Sequence, residues 1–432
     1  MRRLLSHRDA RIYLAGQSLS VIGDSALWLA MGIWVKVLTG SNSAAGLTFF
    51  AFTCGFLAAP VSGMIVDRVR RRPLLITANL AGAALVCALL LVGGRGQVWL
   101  IYLVMFGYGA VNSLITSAQT ALLPALVPGD LLGDANSALQ MASQGLRLIT
   151  PLLGAGLLAW AGARPVILLD AATFVAAAGT VAALRLREPR PDPAAARRRG
   201  GGRAEFSAGI RYITRTPALR RVMIAGLIAV TAFGLFETVP FAVVAQGLHR
   251  SPPFLGVLTS LQGAGALAGA ALAAPVMRRA GESALIAAGL AACAAAALLL
   301  ITGWLPLVLA AMAVLGLCIV WINVGAITLI QRRTPGPLIG RVDAALEFAI
   351  TVPQAVSIAA GAALIAVVSY RILLVAMAAV IACSACYLAS RREQGFGQTV
   401  ASTSPQADSM PGEPAGRFPD GPRAERSVTA DA

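Results

Sequence analysis

Five ionisable side chains interrupt stretches that are otherwise apolar: Asp24, Arg147, Asp170, Glu237 and Glu347. A charge in hydrocarbon costs roughly 2.5–3.5 kcal/mol on insertion scales unless it is paired or hydrated, so each of these is a candidate site. Asp24 falls near the middle of the first apolar run and Arg147 near the middle of the fifth. Facing each other, they would neutralise a charge pair within the first half of the chain. Two readings of Asp24 stand side by side. It is a carboxylate that takes up a proton or recognises a cation, or it is half of a structural ion pair fixing two helices. Asp170, toward one end of the sixth run, reads more readily as structural. Glu237 has no basic residue at membrane depth in its own half, which suits a solvated cavity. Both histidines, His7 and His249, fall in loops. Any coupled proton must therefore be carried by carboxylates.

These residues need elements that hold them at depth. The chain has 432 residues, 57% hydrophobic and 12% charged, with mean hydropathy +0.76. A soluble chain would carry about 25% charged residues. The deficit, with repeated apolar runs of ~20 residues, indicates an all-α polytopic membrane protein. Twelve spans are expected, near 12–37, 45–66, 73–93, 98–121, 137–160, 164–184, 221–246, 253–276, 282–303, 305–330, 342–368 and 370–390. Loops on one side carry Arg95, Arg164, Arg250 and Arg371, while the other loop arginines crowd the opposite side. Under the positive-inside rule the crowded side is cytoplasmic, with both termini there. Trp34, Trp99, Trp160 and Trp304 fall at the expected outer ends, where an indole suits the interface.

The formal charge of +16 is then topological and does not point to nucleic acid. The Arg and Ala excess suggests a bacterial chain, so the expected location is the plasma (inner) membrane. The first apolar run is too long for a signal-peptide core and reads as an uncleaved helix. Domain boundaries follow: an N-terminus at 1–11, a six-helix bundle at 12–184, a basic linker with an amphipathic helix at 185–220, a second bundle at 221–390 and a disordered tail at 391–432. Cys383 and Cys386 have CxxC spacing but sit in an apolar run without a second pair, so they read as packing residues. No P-loop, His-rich metal spacing or Gly-x-Ser-x-Gly elbow is found. Neither an enzyme nor a cofactor or metal is expected.

The halves repeat at an offset of 207 residues. Pro128-Gly129 and Gly133 fall on Pro335-Gly336 and Gly340, Gly154 on Gly361, and Arg71-Arg72 on Arg278-Arg279. One register serving separate loops indicates parallel six-helix repeats. Asp67 is matched by Ala274, so the acidic position is not repeated.

The loop Gly63-Met-Ile-Val-Asp67-Arg68-Val-Arg-Arg71-Arg72 resembles the signature Gly-x-x-x-Asp-Arg-x-Gly-Arg-Arg of the major facilitator superfamily, with Arg70 in place of the second Gly. Further residues resemble the branch of macrolide efflux proteins and the enterobactin exporter. These are Gln17–Asp24, Arg147-Leu-Ile-Thr-Pro151-Leu-Leu-Gly154, Leu169-Asp170-Ala-Ala-Thr-Phe174 and Gly340-Arg341-Val342. Gly145, Pro151, Gly154 and Gly156 resemble a degraded antiporter motif. The resemblance implies a secondary active transporter, working as a monomer among membrane lipids, that exports drug-like lipophilic molecules by exchange with protons. Siderophore or natural-product export, nutrient import and a non-transporting scaffold are the alternatives. It implies a cytoplasmic gate at Gly63, Asp67, Arg68, Arg71 and Arg72 with Arg341 and Glu347, while coupling is expected through the charges at depth, Asp24, Arg147, Asp170 and Glu237. Trp28, Gln144, Phe233, Phe236, Gln262, Trp321 and Asn323 are expected to line the substrate cavity. With Arg70 replacing Gly, a left-handed turn is not expected, and helix could run further into the loop.

Overall fold

Backbone polar groups in hydrocarbon must find partners within the protein, which leaves helices as the economical answer. The computed structural model follows that rule: among the described residues, 7–127, 132–184, 210–334 and 339–390, there is no strand. Twelve helical stretches result. They are α1 (Arg8–Thr39), α2 (Asn42–Phe56, continuing as Ala59–Arg68), α3 (Arg71–Cys87), α4 (Val98–Leu126), α5 (Leu132–Ala161) and α6 (Ala163–Ala183). After the linker come α7 (starting as Pro217–Phe233), α8 (Leu255–Ala280), α9 (Glu282–Leu299), α10 (Leu305–Arg333), α11 (Ile339–Leu364) and α12 (Tyr370–Ala389). Ten of these stretches are long and apolar enough to cross a membrane, and α5 and α11 contain the apolar segments Ile149–Ala161 and Ala349–Leu364. The expected linker at 185–209, the tail from 391 and the loop part of the 128–133 repeat lie outside the described residues.

The 207-residue register holds in three dimensions. In each half the first helix packs on the fifth and sixth, the second on the fourth, and the third on the fourth and sixth. Matched glycines make matched contacts. A Cβ on Gly109 of α4 would collide with the Phe52 carbonyl of α2, and a Cβ on Gly316 of α10 with the Gln262 carbonyl of α8. Likewise Gly154 of α5 lies against the Ala26 backbone of α1, and Gly361 of α11 against Leu235 of α7. Helices in lipid gain little from burying apolar surface, so such close backbone contact is a main source of adhesion.

α7 departs from the pattern. Its α-helix gives way to a 3-10 turn at Gly234–Glu237, a short helix at Val239–Ala242 and a π-helical turn at Val243–Gly247. Pro240 removes one backbone donor in this stretch, which disfavours a regular helix. Thr238 closes the break locally by donating to the Leu235 carbonyl at 3.1 Å.

The two ends of the bundle differ. Trp99, Trp160 and Trp304 are all exposed at the arginine-poor end, while Trp34 is half-buried there. The halves are also joined at this end. Ser43 of α2 donates its hydroxyl to the Ala362 carbonyl of α11. Gly46 packs on Thr238 and Ala362, and Gly256 of α8 packs on Ala155 and Pro151 of α5. Contacts at the arginine-rich end include several within a half. Arg72 donates to the Val181 and Ala182 carbonyls at the end of α6, at 3.2 and 2.5 Å. Arg332 pairs with Glu282 at 2.5 Å. A short helical turn at 210–215, within the expected amphipathic helix, also docks here. Ile213 is fully enclosed, and the Tyr212 hydroxyl reaches the Arg333 carbonyl at 2.6 Å.

Alanine at position 109 or 316 should therefore force two helices apart, at a cost of about 1–3 kcal/mol typical of overpacking. Gly156 has open space around it, and Gly156→Ala should be neutral or gain up to about 1 kcal/mol from helix propensity. Melting temperatures of the purified variants check this; equal shifts at all three positions would remove close packing as the cause.

Candidate functional site

Two of the ionisable residues singled out in the sequence meet inside the first half. Asp24 is half-buried midway along α1. Tyr108 of α4 donates its hydroxyl to Asp24 Oδ1 at 2.6 Å, and Ser20, one turn earlier on α1, donates to Oδ2 at 3.3 Å. The first distance is that of a charge-assisted bond to a carboxylate. Tyr108 is itself enclosed, 1% exposed, and held by two rings: Phe174 of α6 edge-on and Phe52 of α2 tilted, each at 5.8 Å between centroids.

Asp170 lies one turn before Phe174 on α6 and is 0% exposed. Neither of its carboxyl oxygens has a hydrogen-bond partner among the described residues. It packs on Gly23 of α1, the residue next to Asp24, so the two acids share one helix seam. Gly23 permits this. A Cβ there would run into Asp170 Oδ1 and Thr173 Oγ1. Thus α1 and α6 meet at a glycine, and an enclosed carboxyl group is pressed onto the seam. The expectation that Asp170 is mainly structural did not anticipate its place beside Asp24. Arg147 lies on α5, which packs against α1; its side chain, and so the expected Asp24–Arg147 pair, falls outside the described residues, as does the Gln144 side chain.

Glu237 sits in the other half, in the 3-10 turn of α7, half-buried and without an ion-pair or hydrogen-bond partner among the described residues. Phe233 and Phe236 flank it and contact each other at 5.9 Å. Trp28 leans on Phe49 of α2 at 4.5 Å, and Phe49 on Phe241 of α7 at 6.0 Å. This aromatic chain bridges the halves. The other expected cavity residues have local partners. Trp321 donates its indole N–H to the Gly269 carbonyl at 3.1 Å, tying α10 to α8. The exposed Asn323 donates back to the Ile319 carbonyl at 2.9 Å, and the backbone of Gln262 forms the α8–α10 contact.

In the expected gate loop, Gly63 has open space around it and Arg68 is exposed. Helix stops at Arg68, Val69 and Arg70 are extended, and α3 starts at Arg71. The absence of a left-handed turn matches expectation, but a longer helix does not form, because Val69 adopts φ −122 and ψ 160. Arg72 caps the carbonyl end of α6, a favourable place for a cation. The Arg71 side chain is half-buried. The side chains of Asp67, Arg341 and Glu347 lie outside the described residues.

Sequence reasoning did not single out Tyr108, Ser20, Phe49 or Phe241. Tyr108 carried a signal: a phenol inside an apolar run needs a polar partner when buried.

Comparison with known proteins agrees with this architecture. The family model described as Major Facilitator Superfamily matches residues 13–248. An uncharacterized MFS-type transporter, y4rN, of Sinorhizobium fredii is 26% identical over 351 residues, covering 79% of this chain and 84% of that protein. Macrolide efflux protein A of Streptococcus pyogenes is 29% identical over 178 residues, 40% of this chain and 43% of its own length. Among solved structures, a bacterial homologue of the iron transporter ferroportin in its inward-facing state has a TM-score of 0.68 at 15% identity, covering 89% of this chain and 98% of that one. A POT family transporter in complex with 5-aminolevulinic acid has a TM-score of 0.71 at 10% identity, covering 89% and 96%. At such identities these structures speak for the fold alone. With the family model spanning more than half its length, the chain belongs to the major facilitator superfamily.

Proposed function

We propose that this transporter exports small lipophilic molecules across the bacterial plasma membrane in exchange for protons, with the arginine-rich end facing the cytoplasm. The observation that carries the reading is the Asp24–Tyr108–Asp170 cluster: two acids at membrane depth, one half-buried and one fully enclosed, beside a single phenol. A fully enclosed carboxylate next to a second acid is costly, so a cluster carrying one proton is the favourable state, and moving that proton changes the charge on the α1–α6 seam. Asp24 is the member open to exchange, and Tyr108 orients it. The junction of the halves at the arginine-poor end fits one state of an alternating-access cycle, in which Ser43–Ala362 and Phe49–Phe241 separate as the other end closes. The aromatic residues Trp28, Phe233 and Phe236 with Glu237 offer a surface for an amphipathic, cationic or neutral substrate. The similarity to macrolide efflux protein A, over less than half of each chain, supports efflux as the direction.

Everted vesicles with an imposed pH gradient and a panel of dyes and macrolides test this reading. Gradient-dependent uptake is expected; movement of no compound, or indifference to collapse of the gradient, would overturn it. Asp24→Asn and Asp170→Asn should each abolish uphill accumulation while substrate binding and the amount of protein in the membrane stay near wild type. Unchanged accumulation in either would make that acid structural. Tyr108→Phe removes one hydrogen bond to a charged group, of order 1.5–3 kcal/mol. It should slow proton-driven flux by roughly tenfold without changing the rate of downhill substrate exchange.

A further inference from the structure

A cavity of about 270 Å³ opens at the arginine-poor end, between the ends of α1 and α3 and the α5–α6 turn. Its walls include Trp34, Leu89, Val92, Gly162, Arg164 and Ile167. Leu89 and Ile167 are fully enclosed, so the floor is apolar and well packed. Arg164 stands at the mouth, exposed, and its guanidinium has no ion-pair or hydrogen-bond partner among the described residues. The exposed Trp160 directly precedes Ala161 of the cavity wall, and exposed indoles favour the membrane–water interface.

We propose that this cavity is a binding site for an anionic phospholipid of the leaflet that meets the arginine-poor end. The glycerol and upper acyl segment fill the apolar floor beside Trp34, and the phosphate pairs with Arg164. Size argues for a lipid. Pockets that enclose a drug-sized ligand run to about 300–1,000 Å³, so this one holds only part of a molecule whose remainder lies in the bilayer. Charge argues for an anionic headgroup. Arginine is scarce at this end, and Arg164 presents a planar donor fork that suits phosphate. A guanidinium at the interface above an apolar slot is complementary to a lipid phosphate above its own chains.

Photo-crosslinking in reconstituted bilayers tests this, using phosphatidylglycerol and phosphatidylcholine analogues with a photoreactive group near the glycerol. Labelling of the segments around Trp34 and Arg164 is expected to favour the anionic analogue. Arg164→Ala should lower that labelling roughly five-fold, the equivalent of about 1 kcal/mol for one basic residue at an anionic surface. Ala161→Trp, which fills the slot while keeping the arginine, should abolish it. Arg95→Ala, an exposed arginine at the same end outside the cavity, should leave it unchanged. Equal labelling by the two analogues, persistence in Arg164→Ala, or an equal loss in Arg95→Ala would overturn the proposal. Suppression by soluble glycerol phosphate at matched concentration would also overturn it, in favour of a site for a free anion.

Discussion

Helices surrounded by lipid cannot be driven together by the burial of apolar surface, because lipid tails are as apolar as leucine. What remains is contact at short range, and this bundle depends on it. Gly109 and Gly316, placed alike in the two halves, let one helix touch the carbonyl ridge of another. Side-chain hydrogen bonds to backbone then join neighbouring helices: Ser384 of α12 to the Ala225 carbonyl of α7 at 2.7 Å, and Ser357 of α11 to the Thr231 carbonyl of α7 at 2.5 Å. Each is a small polar group that would be expensive to leave unpaired at depth.

Much of this was legible in the sequence because membranes impose strong, one-dimensional signals. Span lengths, the arginine imbalance and the 207-residue register all come from rules that act along the chain. The site was legible only in part. Asp24, Asp170 and Glu237 stand out because charge in an apolar run is rare. Their partners do not stand out, because Tyr108, Phe49 and Phe241 resemble ordinary packing residues until the fold brings them beside an acid or across the halves. Local geometry also adds what position alone does not give. Trp321, expected in the cavity, also ties two helices through its indole N–H. Arg72, grouped with the gate by its position in a motif, also caps α6. Motif spacing identifies a loop, whereas hydrogen-bond geometry decides what each residue in it does.

The two halves share one plan but not one chemistry. The first half holds its acids on uninterrupted helices, α1 and α6, with one of them enclosed. The second places Glu237 where its first helix is broken into 3-10, α and π segments. On the proposed reading, proton handling falls to the first half and substrate contact to the region near the broken helix, while both halves keep the same packing plan.

Gly23 ties that division to the architecture. Because the hydrogen at this position is what allows Asp170 to rest against α1, the acid and the seam are not independent of each other. A larger residue at 23 would displace α6 together with its carboxyl, while a smaller neutral residue at 170 would leave a void against a glycine. The ionic chemistry of this protein is thus constrained by the same atoms that set its interhelical spacing. A change of charge at position 170 is therefore also a change in the wall of the bundle.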